Sequence, residues 1–284
     1  MSSNIRATSI ADRLVVTNNR PTGFDYMRIA LATTITLYHS DVTSYGMAAQ
    51  FALDGSWAGV FIAQLVPMFF CLSGFLVAGS LARSRSLISF TGLRITRIFP
   101  ALCAETLLSA FLLGAIFTTL PLSHYFSSGQ FWPYLNSIPG DIHYYLPGIF
   151  AANPSHRVNG QLWTIPAELG CHLWIGIAFV VTLTRRRWML MFACVLYMFA
   201  RAIRDAYVHH VVPIGFTMPM EMLVVCFFAG VLLFQWRDRI PWTWQIGVPA
   251  CAISLALPAI PYAIWLLPVP VSNAAVAVSN RCTG

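Results

Sequence analysis

Arg28 and His39 lie eleven positions apart in a mostly apolar stretch, which is the spacing most suggestive of chemistry in this chain. At about 100° per residue, eleven positions return a helix to nearly the same face, with about 16 Å of rise between them. A fixed cation and a titratable imidazole would then share one stripe. An imidazole held past the middle of a membrane suits a general base, and ionisable groups at such depth are functional candidates by default. The competing reading is an Arg28 that snorkels to headgroups and a His39 that only hydrogen-bonds within a bundle.

A second cationic pair, Arg94 and Arg97, has i, i+3 spacing and precedes Pro100, as in the first turn of a helix. Two guanidinia on one face at a cytoplasmic rim match phosphate oxygens, such as those of coenzyme A. Ordinary placement of positive charge beside a span gives the same pattern. Further on, Glu168 follows Trp163 and Pro166, one to two turns below the outer surface, at a depth similar to that expected for His39. A carboxylate beside an imidazole fixes its tautomer and suits it to accept a proton. Glu168 and His172 are also i, i+4 neighbours, so a purely local bond competes with that role. Glu105 and Glu221 are further carboxylates in apolar surroundings, and no partner for either is evident.

The elements that must position these groups follow from composition. The chain has 284 residues, 57% hydrophobic and only 10% charged, with mean hydropathy +0.68. A soluble globular protein carries roughly a quarter charged residues, so a water-soluble domain is excluded. The apolar runs are continuous, whereas spanning β-strands alternate. The expected fold is all-α: a polytopic transmembrane helix bundle of about seven spans, near 26–46, 57–82, 98–121, 163–184, 188–205, 214–236 and 245–269. Arginines then collect on one side, in the N-terminal tail, at 83–97, at 185–187 and at 237–239, which makes that side cytoplasmic. Arg201 and Arg204 are the exceptions and could face the interior.

The same topology puts the aromatic-rich and Pro/Gly-rich stretch 123–162 outside, as a cap on a substrate cleft or a packed loop with interfacial aromatics. The net charge of +7 is accounted for by these connectors, so nucleic acid is not an expected partner. Seven cysteines without a C-x-x-C pair read as core residues, not as a metal site or a disulfide frame. The polar first 24 residues lack the apolar core of a signal peptide. The chain divides into a cytoplasmic tail at 1–24, a transmembrane domain at 25–270 and a C-terminal tail at 271–284.

Four ordered motifs then stand out: Phe24-Asp25-Tyr26-Met27-Arg28 with His39; Phe69-Phe70-Cys71-Leu72-Ser73-Gly74-Phe75-Leu76; Arg94-Ile95-Thr96-Arg97-Ile98-Phe99-Pro100; and Leu162-Trp163-Thr164-Ile165-Pro166-Ala167-Glu168. Together they resemble the membrane acyltransferase-3 family, over roughly residues 24–239. The resemblance implies transfer of an acyl group, often acetyl, from acyl-CoA to a hydroxyl of a carbohydrate, lipid-linked glycan or other envelope acceptor, at the inner (plasma) membrane. His39 would be the base and Glu168 its positioning partner. Arg28, Arg94 and Arg97 would bind the donor. Ser73, Gly74 and Trp163 match family motifs, and Ser73 and Gly74 are read as structural, allowing close helix approach. No metal or resident cofactor is expected. Family members have more spans than the seven expected here, which predicts a C-terminally shortened member. A proton-coupled transporter or flippase also needs buried His, Glu and Arg, and an inactive shortened family member is the third reading.

Overall fold

In the computed structural model of the chain, the residues described are 9–16, 22–84, 86–182, 184, 186–204, 220–240, 249–250 and 252–253. Among them the architecture is helical, with no strand beyond isolated bridges such as Thr118 to Ile149. The helices are α1 (Ile10–Val16), α2 (Thr22–Tyr45), α3 (Met47–Asp54), α4 (Gly59–Arg83) and α5 (Leu87–Leu107). A π-helix (Leu108–Leu113) extends α5 into α6 (Gly114–Phe117). There follow α7 (Leu122–Ser127), α8 (Phe131–Tyr134), α9 (Ile165–Val180), α10 (Arg187–Arg204) and α11 (Met220–Gln235).

Among the described residues, three runs are long and apolar enough to cross a membrane: Gly59–Arg83, Leu87–Phe117 and Gly160–Val180. α2 and α10 match the first and fifth expected spans in position. Neither is long and apolar enough throughout to join those three. The 16-residue α11 is apolar but shorter. The stretch expected to form the seventh span, 245–269, lies almost wholly outside the described residues.

The third span begins earlier than its apolar run suggests. Ser86 caps α5, its side chain accepting a hydrogen bond from the Ser89 N–H at 3.1 Å. The helix then runs through Pro100 without ending. Arg94 and Arg97 are therefore not in the first turn. At 1.5 Å per residue they lie about 10 and 15 Å along the helix from Leu87.

α4 and α11 form the central pair of the bundle. Their backbones meet at two glycines: a Cβ on Gly74 would fall 1.9 Å from the Phe227 carbonyl oxygen, and one on Gly230 would fall 2.0 Å from that of Cys71. Small residues allow such a crossing where dispersion, not water exclusion, holds helices together. Around it, Phe70, Cys171, Ile175, Met222 and Phe227 form the main core, and Phe24 stacks on Phe75 at 5.1 Å to hold α2. Gly74→Ala is expected to destabilise the protein by about 1–3 kcal/mol or more, because the obstacle is backbone and cannot rotate away. Gly92, with nothing within 4 Å of its virtual Cβ, is the control. Thermal unfolding in detergent should fall for Gly74→Ala and hold or rise for Gly92→Ala.

Charged connectors gather at one end. Arg187 pairs with Asp238 at 3.5 Å, Gln235 Nε2 donates to the Thr184 carbonyl at 2.8 Å, and Trp188 meets Trp236 edge-on. The polar tail contributes structure here too: Ser9 and Asp12 cap α1 reciprocally, and the Ala11 N–H donates to Arg237 O. At the opposite end, the segment 118–164 packs over its own aromatic core of Tyr125, Phe131 and Tyr134.

Candidate active site

His39 lies near the end of α2 away from the charged connectors. Its ring is partly buried, 5.4 Å from that of Tyr38. The described residues give neither ring nitrogen a hydrogen-bond partner, so both are open to a ligand. Two adjoining cavities share Tyr38, His39, Gln50 and Trp163. The inner one, of about 280 Å³, also meets Asp54, which accepts a hydrogen bond from the Tyr38 hydroxyl at 3.1 Å. The outer one, of about 520 Å³, is lined on one side by residues of the 118–164 segment. That segment is thus both a packed loop and one wall of a cleft. Its approach is close: Gly46, at φ +79°, leaves room for Pro154 where a Cβ would collide.

The arginines form a separate cluster. Arg28 from α2 lies over the Phe69 ring and Arg94 from α5 over that of Phe90, at 5.6 and 5.4 Å. Both are partly buried, whereas Arg97 is exposed. The carboxylate whose charge acts on all three is Glu168 of α9, and Asp25 of α2 acts on Arg28 as well. Three helices therefore bring three guanidinia together with two carboxylates, leaving net positive charge. The structure brings Glu168 to the arginines. Among the described residues it gives no hydrogen bond between Glu168 and His39. The local partner of His172 is the Glu168 backbone carbonyl, 2.7 Å from Nδ1, and not its carboxylate.

The other two carboxylates in apolar surroundings also find neighbours. Glu221, partly exposed, accepts from the more buried Arg201 at 3.0 Å, so Arg201 points into the bundle. Glu105 accepts from Ser109 Oγ at 3.1 Å, and Ser109 in turn accepts from the Asn159 side-chain amide at 3.0 Å. The same amide reaches the Tyr134 hydroxyl. Ser109 lies in the π-helix, whose widened turn also presents the Ala110 carbonyl to Tyr125 at 2.7 Å. Burial pushes the Tyr125 phenol up to about 12. Burial, with the charge of Glu105, pushes Tyr134 up as well. Both stay protonated at neutral pH.

Asn159 immediately precedes the 3₁₀ turn Gly160–Thr164 that carries Trp163, so this network fixes the wall of the His39 cavity to α5. Asn159→Leu is expected to cost about 1–3 kcal/mol through the polar groups it strands. Unfolding temperature, and any activity measured beside it, should both fall.

The sequence reading did not single out Gln50, Tyr38, Asp54 or Asn159. Gln50 and Asp54, four apart on α3, share a helix face and were open to discovery by spacing. Asn159 gave no such signal, because its partner Ser109 is fifty residues away.

Residues 22–279 match the acyltransferase domain family, and the chain belongs to this acyltransferase-3 family. Among curated proteins it is 33% identical over 159 residues to the "O-acetyl transferase" of Shigella phage Sf6, covering 55% of this chain and 45% of that protein. It is also 33% identical over 150 residues to "Nodulation protein 10" of Rhizobium leguminosarum bv. viciae, covering 48% of this chain and 38% of that one. The matches thus span less than half the length of either relative. No solved structure matches the chain.

Proposed function

We propose that the protein is an integral membrane O-acyltransferase that moves an acyl group, acetyl foremost, from acyl-CoA to a hydroxyl of a carbohydrate or other envelope acceptor. One observation carries this reading: an imidazole with both nitrogens open faces a polar cavity at one end of α2, while an arginine cluster, partly buried at Arg28 and Arg94, occupies the other end. Family membership and the printed name of the phage relative support it.

In this account Arg28, Arg94 and Arg97 hold phosphates of a donor entering from the cytoplasmic side, and Glu168 keeps the guanidinia from repelling one another. The extended pantetheine arm carries the thioester along the Arg28 to His39 stripe. His39 takes the acceptor hydroxyl proton as the oxygen attacks the thioester carbonyl. The C–S bond breaks, and the departing thiolate takes the proton back from the imidazolium, leaving an ester and free CoA.

The test uses proteoliposomes with labelled acetyl-CoA and a glycan acceptor. Label in the glycan supports the reading, whereas glycan movement without covalent change points to a transporter. Sidedness is read separately. Single cysteines placed in the 123–162 segment should react with an impermeant maleimide in intact cells, and those beside Arg186 and Arg187 should not. The reverse pattern contradicts cytoplasmic entry of the donor.

A further inference from the structure

The outer cavity has a chemistry that the acyl-transfer steps do not use. Its wall is built by Tyr144, Tyr145, His156 and Arg157, opposite His39 and Trp163. None of its lining residues is acidic. The acidic Asp54 belongs to the inner compartment, engaged by Tyr38. Arg157 lies over the Tyr144 ring at 5.6 Å, and among the described residues no carboxylate pairs with it. The His156 Nδ1 donates to the Phe150 carbonyl at 3.0 Å, because a carbonyl can only accept, so Nε2 is the nitrogen left for a ligand. Rings with polar rims beside a fixed cation match a sugar that has both an apolar face and a negative charge.

We propose that this compartment is an acceptor subsite for a sugar bearing an anionic substituent, a carboxylate or a phosphate, with Arg157 as the partner of that substituent and His156 Nε2 accepting from a sugar hydroxyl. Tyr144 holds the guanidinium in place, and the ring rests against Tyr145 and Trp163 with a hydroxyl toward His39. The volume of about 520 Å³ falls within the range of small-molecule sites, about 300–1,000 Å³. The proposal rests on the acyltransferase reading for the meaning of His39, but the binding it describes can be measured without turnover.

The test uses the full-length protein in nanodiscs and three probes: an all-glucose tetrasaccharide, the same chain with one glucuronate, and the same chain with one phosphate. The anionic probes should bind about tenfold more tightly than the neutral one, equivalent to about 1.4 kcal/mol. Added salt should narrow that gap. Arg157→Gln should reduce it to about twofold with unchanged thermal unfolding, and Arg157→Lys should keep part of it. Whichever anionic probe binds more tightly identifies the substituent. Equal binding of the neutral probe, or an undiminished gap in Arg157→Gln, overturns the subsite. Selective binding with no ester formed from labelled acetyl-CoA sinks the acyltransferase reading and leaves the subsite. Efficient acylation of the neutral probe with no binding gap does the opposite.

Discussion

His39→Ala is expected to lower acyl transfer by about 10²- to 10⁴-fold, the usual worth of a positioned general base. The loss should appear in kcat, with membrane insertion and unfolding temperature unchanged. The structure gives a reason to expect that separation: His39 makes no hydrogen bond with the described residues, so its removal strands no partner. Its neighbours Tyr38 and Asp54 satisfy one another, and the main core lies around α4, α9 and α11. His39→Gln keeps hydrogen-bonding capacity but not the proton-accepting nitrogen, and should be as inactive as the alanine variant. Full activity in either variant would remove His39 from the chemistry.

The second large effect concerns the donor. Arg94→Ala and Arg97→Ala should each raise the KM for acyl-CoA by about ten- to a hundredfold, since hydrogen bonds to charged groups are worth about 1.5–3 kcal/mol. The KM for the acceptor should stay within error, because these side chains lie in α5 and line neither His39 cavity. Arg94→Lys should recover only part of the loss, because an ammonium cannot present the planar fork that matches a phosphate. An effect confined to the acceptor would contradict the assignment. Glu168→Gln belongs to the same series: without its counter-charge the arginine cluster repels itself, so both donor affinity and thermal stability should drop.

Several of these features were legible in the residues alone. α4 was, because an unbroken apolar run admits one structure in a membrane, and its expected bounds of 57–82 differ little from Gly59–Arg83. The start of α5 was not. Residues 87–97 mix Ser, Thr, Gly and Arg among apolar positions and read as a connector, yet the Ser86 cap and the continuity through Pro100 make them helical. That difference moves Arg94 and Arg97 from the first turn of a helix to about 10 and 15 Å along it, with Arg94 partly buried and Arg97 exposed. The neighbours of Glu168 were illegible for another reason. Spacing on one helix says which residues share a face, not which helix lies opposite, and only the packing of α2, α5 and α9 shows that the face meets arginines. The Arg201 to Glu221 pair joins two helices in the same way. By contrast, the shared stripe of Arg28 and His39 follows from helix geometry alone, and α2 runs unbroken through both positions.

The most direct test of the central claim is structural analysis of envelope glycans from cells with and without this gene, by mass spectrometry and NMR. The account predicts an ester-linked acyl group on a defined sugar hydroxyl that is present with the wild-type gene, absent without it, and absent again with His39→Ala. Identical glycan acylation in all three strains, with the protein present in the membrane, would contradict it.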